Sequence, residues 1–175
     1  MTFDPFGDFA TRGYLRNVAG EKDRAIVRQM EHAAFTTGLD AAFEALTKRK
    51  TLTYADVLAT HRILFEPVYS WAGDDRAKTA PGLAISKGAG DNRVRFADPE
   101  DIHRSVDYGL KLGQDKAVMA ARPGEVMGYL AFGHPFLDGN GRTIMVVHSV
   151  LAHRAGIRAY ASIGPRPTRM GILLP

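Results

Sequence analysis

The sequence predicts an all-α domain that carries one small β-hairpin. Apolar residues recur at helical spacing along most of the 175 residues. One segment, LAISKGAGDNRVRF at 83–96, breaks that period: a Gly-rich turn leads into the alternation Arg93–Val94–Arg95–Phe96. The length suits a single domain, 1–175, and an apolar share of 45% is enough for one core.

The elements follow in order. About 22 residues form an N-terminal extension. Asp23 then caps a helix through about Thr36, with Ile26, Met30 and Ala33 on one face. A short second helix spans about Asp40–Thr47. Thr53 caps the next, with Val57, Leu58, Leu64 and Phe65 inward, and Pro67 ends it. Trp71 belongs to the core. Asp98–Pro99–Glu100–Asp101 marks a further helix start, because the ring lacks only an N–H that has no helical partner and the acids suit the dipole. Ile102, Val106 and Leu110 follow at a spacing of four. A helix from Pro123 to Phe132 buries Val126 and Leu130. The most apolar helix runs from Arg142 to about Ala155, with Ile144, Val147, Val150 and Leu151 toward the middle of a bundle and Gly156 just past its end.

Composition excludes several classes. There is no cysteine, so disulfide, thiolate and Cys-metal chemistry are out. No apolar run approaches the ~18 residues of a membrane helix, and MTFDPFGDF is not a secretory signal, so no membrane partner is expected and a cytoplasmic place is. A net charge of +4 favours an anionic ligand. Nucleic acid is not expected, since there is no Lys/Arg block; Arg154, Arg158, Arg166 and Arg169 read as a solvated basic tail.

The chemistry concentrates in HPFLDGNGRTIM, 134–145. Gly139 and Gly141 remove Cβ atoms that would block close approach, and they precede a helix whose free N–H groups attract anions. Asn140 offers an amide. Arg142 in a first turn opposes the dipole rule, which a bound anion would explain. Asp138 beside phosphates makes sense with Mg²⁺, which takes one or two carboxylates plus phosphate oxygens. His134 is suited to accept a proton at neutral pH, and Phe136 anchors the loop in the core.

These residues closely resemble the Fic family signature HxFx(D/E)GNGRxxR, matched without a break from His134 to Arg142. HRILFEPVYSWAGDDR at 61–76 resembles the segment ahead of the family's flap. AISKGAGDNRVRF resembles the flap itself, and FATRGYLRN a common opening. The resemblance implies a Fic-type helical bundle with a β-hairpin flap at about 83–96 and an active-site loop at 134–142. It implies a Mg²⁺-dependent protein adenylyltransferase that moves AMP from ATP to a Tyr, Ser or Thr hydroxyl of a target protein. His134 would be the base and Asp138 the Mg²⁺ ligand. Gly139, Asn140 and Gly141 would cradle phosphate, and Arg142 would contact the β/γ-phosphates. Flap residues Ile85, Ser86, Lys87 and Gly88 would pair with the target as an added strand.

The family's second arginine is Met145 here, apolar and expected to sit in the core. That departure leaves room for another nucleotide or donor, or for a catalytically silent nucleotide-binding module. The family's inhibitory (S/T)xxxE(G/N) helix is also absent: no Glu has Ser or Thr four residues before it. The resemblance further implies a bacterial toxin or an effector delivered into a host cell, with an antitoxin or an additional domain as regulatory partner.

Overall fold

Asp23 starts the first helix as the sequence predicts. Its carboxylate accepts the Ala25 N–H at 2.7 Å, and α1 runs Arg24–Thr47. The structure, a computed structural model, describes residues 13–88, 91 and 93–157. Residues 1–12 of the extension, hairpin positions 89, 90 and 92, and Arg158, Arg166 and Arg169 lie outside the described residues.

α1 corrects two expectations. It is one helix of 24 residues, not two. The predicted break falls at Gly38, but a Cβ there would meet the Ile63 carbonyl oxygen of the neighbouring helix at 2.7 Å. Gly38 is therefore an approach point between helices, and Asp40 is simply exposed. The inward stripe is also shifted by one residue. Val27, Glu31, Ala34, Ala42 and Leu46 are buried, whereas Ile26 and Ala33 face solvent. The buried Glu31 hides the stripe from a search for apolar period.

α2, Tyr54–Phe65, opens on a capping box in which the Thr53 N–H donates to the Asp56 carboxylate at 2.9 Å. It lies against α1. Trp71 is buried in the following turns, stacked on Tyr69. A single helical turn, α3 at Arg76–Thr79, leads to the hairpin. Strands β1, Ser86–Lys87, and β2, Val94–Arg95, are antiparallel, with Ser86 opposite Arg95 and Lys87 opposite Val94.

Pro99–Asp101 forms a 3-10 turn ahead of α4, Ile102–Gln114. The Asp98 carboxylate makes no cap. It receives Arg95 of β2 at 2.9 Å and so fastens the hairpin to the helix start. A short helix missed from the pattern, α5 at Lys116–Ala121, is capped by Asp115. α6 runs Pro123–Gly133 and packs on α4. α7 runs Asn140–Arg154 and touches α1, α2, α4, α5 and α6. Ile144, Val147, Val150 and Leu151 are all buried. Each such side chain contributes roughly 1.5–3 kcal/mol, which stabilises a helix whose first turn carries Arg142 against its dipole. No helix among the described residues is long and apolar enough to cross a membrane.

Candidate active site

α6 ends at His134, the only non-glycine among the described residues with positive φ, at 40°. Pro135 follows, and the loop to α7 is closed by Asn140. Its side-chain amide donates to the Phe136 carbonyl at 2.6 Å, while its oxygen accepts the Phe136 N–H at 2.7 Å. Phe136 is fully buried, as its alternation with polar neighbours predicts. Asn140 thus braces the loop. Its amide does not point to an anion as the sequence suggested, and its share of a cradle is its main-chain N–H.

The first bond of the α7 ladder is Thr143 N–H to Gly139 carbonyl, at 3.0 Å. The N–H groups of Asn140, Gly141 and Arg142 precede it and have no helical acceptor. Gly139 has φ of 75°, and a Cβ on it would meet Phe65 at 2.6 Å. Its N–H donates to the Asp138 carboxylate at 2.7 Å.

Two residues that the motif search passed over hold this loop. His61 of α2 is fully buried and stacks on Phe136 at 3.7 Å. Gly73 N–H donates to its Nδ1 at 2.9 Å, so Nε2 carries the proton and donates to the Asp138 carbonyl at 3.1 Å. Burial pushes its pKa down to about 3, and it stays neutral. Arg76 is fully buried, and no carboxylate pairs with it among the described residues. Its guanidinium donates to the carbonyls of His134 at 2.8 Å, Leu83 at 2.9 Å and Ala97 at 2.7 Å. Leu83 and Ala97 are the two feet of the hairpin, so one side chain ties the hairpin to His134. Burial lowers the Arg76 pKa as well. The signal in the sequence was only an Arg following the acids of GDDR.

His134 itself is buried, and neither ring nitrogen has a hydrogen-bond partner. Phe96 lies against its ring, with centroids 4.3 Å apart. Burial first, then the charges of Lys87 and Arg76, push its pKa down to about 4, so the imidazole is neutral at physiological pH. Neither nitrogen has a side-chain or main-chain partner at hydrogen-bond distance among the described residues.

A cleft of about 760 Å³ opens over this ring. His134, Asp138, Gly139, Asn140, Gly141 and Arg142 line it on one side. Ile85 and Lys87 of the flap line another; Ser86 and Gly88 do not face it. Met145 also lines it and is 38% exposed, which corrects its expected core position. A cleft of similar volume between α2 and α4 lacks this cradle and base, so chemistry rather than size picks the site.

Arg142 is offset by a partner that the sequence did not reveal. Its Nη2 sits 2.7 Å from the buried Glu31 of α1, whose other oxygen accepts the Tyr69 hydroxyl at 2.6 Å. The guanidinium lies over the Phe65 ring at 4.6 Å. The anion that answers the dipole objection in this fold is Glu31. Asp138 carries the loop's one side-chain carboxylate, 40% exposed, and no group of three metal-ligating side chains occurs among the described residues. That donor set fits Mg²⁺ only when substrate phosphates and water complete the shell.

The described residues thus form a helical bundle whose inter-helix loop presents an imidazole, a carboxylate and main-chain amides beneath a hairpin. The Fic/DOC family model matches residues 51–152, and the chain belongs to that family. It is 30% identical over 154 residues to the protein adenylyltransferase VbhT of Bartonella schoenbuchensis, covering 87% of this chain and 31% of that protein. It is 31% identical over 151 residues to the probable protein adenylyltransferase y4lH of Sinorhizobium fredii, covering 81% and 72%. The chain thus spans under a third of VbhT. Among solved structures, BepC of Bartonella tribocorum with bound AMPPNP matches with TM-score 0.55 and 18% identity, over 80% of this chain and 73% of that one. The N-terminal FIC domain of Bep8 from Bartonella sp. 1-1C gives 0.57 and 17%, over 81% and 71%.

Proposed function

We propose that the chain is a protein adenylyltransferase: it transfers AMP from ATP to a Tyr, Ser or Thr hydroxyl of a target protein. The observation that carries this reading is the buried, neutral His134 with both nitrogens unpartnered, set beside three free main-chain amides. An orphaned buried polar group is costly, and a substrate hydroxyl would satisfy it. The hydroxyl oxygen attacks the α-phosphorus, its proton passes to the imidazole, the bond from the α-phosphorus to the bridging oxygen breaks, and pyrophosphate leaves. The amides of Asn140, Gly141 and Arg142 stabilise charge on the phosphates, and such positioning supplies most of the rate in phosphoryl chemistry. Asp138 would hold Mg²⁺, which when bound neutralises phosphate charge. Ile85, Ser86, Lys87 and Gly88 would pair with an extended target segment. The likeness to the adenylyltransferase VbhT and the probable adenylyltransferase y4lH supports the adenylyl group. Work inside a cell, its own or a host's, is part of this proposal; BepC and Bep8, which share the fold, are translocated effectors.

A second reading keeps the fold and changes the donor. Met145 on the cleft wall favours it, because it adds no fixed charge there. The test is transfer of label from α-labelled ATP with Mg²⁺ in a cell lysate, for the native chain and His134→Ala. Label lost in the variant supports adenylyl transfer. Label only from another nucleotide supports the second reading. Nucleotide bound with no transfer from any donor leaves a binding module and sinks both.

A further inference from the structure

The cleft has an uneven distribution of charge. A nucleoside polyphosphate needs compensation along its whole length. Arg142 is the motif's only arginine, and its charge is already matched by Glu31 at 2.7 Å. Met145, three residues on, adds none. The lining cations without an ion-pair partner among the described residues are Lys87 and Arg24. Lys87 stands at the base's end of the cleft, since its charge acts on His134.

Arg24 stands elsewhere. It is the first residue of α1, exposed, with its guanidinium 5.9 Å from the centre of the Tyr14 ring. It precedes Glu31 by seven residues, two turns on the same face, about 10 Å along the axis. Tyr14 and Met145 line the same cleft as Arg24. So α1 presents two groups to the site: Glu31, which holds Arg142, and Arg24, which overhangs the stretch beyond that pair. A cation in the first turn of a helix is opposed by the dipole, and the adjacent carboxylate, the Asp23 cap, is engaged by the Ala25 N–H at 2.7 Å. An anion in the cleft relieves that conflict.

We infer that Arg24 is the specificity-determining cation of this cleft, contacting the terminal phosphate of a nucleoside polyphosphate and making a triphosphate preferred over a monophosphate. This rests on the nucleotide-transfer reading above and deepens it.

Calorimetry on the full chain with ATP, ADP and AMP, each with Mg²⁺, tests it. Arg24→Ala should weaken ATP about tenfold or more, weaken ADP less, and leave AMP unchanged. Arg24→Lys should recover part of the loss. Arg24→Ala combined with Met145→Arg, which returns a guanidinium to the same cleft, should restore the preference for ATP over AMP. Equal weakening of all three nucleotides marks a structural role and overturns the inference. So does unchanged ATP affinity in Arg24→Ala, or failure of the folded double variant to regain the preference. If the native chain binds none of the three, the nucleotide reading falls and this inference with it. If the native chain binds ATP and the variant binds it equally, only this inference falls.

Discussion

His134 combines a left-handed backbone with a ring that makes no internal hydrogen bond, and both follow from its place at a helix end sealed by Pro135 and Arg76. His134 must be neutral to act as the proposed base. With a folded pKa of about 4, the free chain keeps it neutral well below the ordinary 6.5. Activity therefore persists as pH falls through 6.5 and is lost only as pH approaches 4. In a pH–rate profile, kcat/KM should show no acid limb at 6.5. The limb in kcat should lie higher, because bound phosphate favours the imidazolium. A kcat/KM limb at 6.5 would contradict the buried geometry. Gly139 is the second residue with a sharp requirement. Gly139→Ala forces a Cβ to 2.6 Å from Phe65 at φ of 75°. It should cost about 2 kcal/mol or more, read as a lower urea midpoint; an unchanged midpoint would mean that the loop relaxes freely.

Among the elements, the hairpin has little of its own. Its strands are two residues each and exposed, and so short a ribbon is not stable in isolation. Arg76 on one side and the Arg95–Asp98 pair on the other hold its feet. The ion pair is exposed and weak, so Arg76 dominates. Arg76→Met leaves three carbonyls without their donor and should destabilise by about 3 kcal/mol or more. Hydrogen exchange should show the N–H groups of Phe96 and Ala97, which bond to Ile85 and Phe132, opening sooner than those of α4. Native-like protection at both would rule out Arg76 as the tie. α1 shows how local signals mislead: Gly38 looks like a stop, yet it is where α2 comes closest.

For the whole molecule, buried histidines set the acid side of stability. His61 and His134 have folded pKa values of about 3 and about 4, and that of His148 is lowered too. Above 6.5 they are neutral in both states and cost nothing. Below 6.5 the unfolded chain takes up protons that the folded chain refuses, so stability falls as pH drops toward 3. The thermal midpoint should decline over that window, and more gently in His61→Gln, whatever that variant's stability at neutral pH. An identical slope would show that His61 is not a main contributor.

The sequence determined the helical class, the hairpin, most helix starts and the motif from His134 to Arg142, because caps, period and glycine placement are local properties of the chain. Trp71 and Phe136 were legible as core for the same reason. Only the tertiary structure decided what the motif's side chains face. Glu31 meets Arg142 across two helices, His61 props Asp138 from 77 residues away, and Arg76 joins the base to the flap. Such pairings join residues far apart in the chain, and no local spacing encodes them. Met145 on the cleft wall and Asn140 turned inward were misjudged on the same ground: which way a side chain points depends on the neighbours that folding brings beside it.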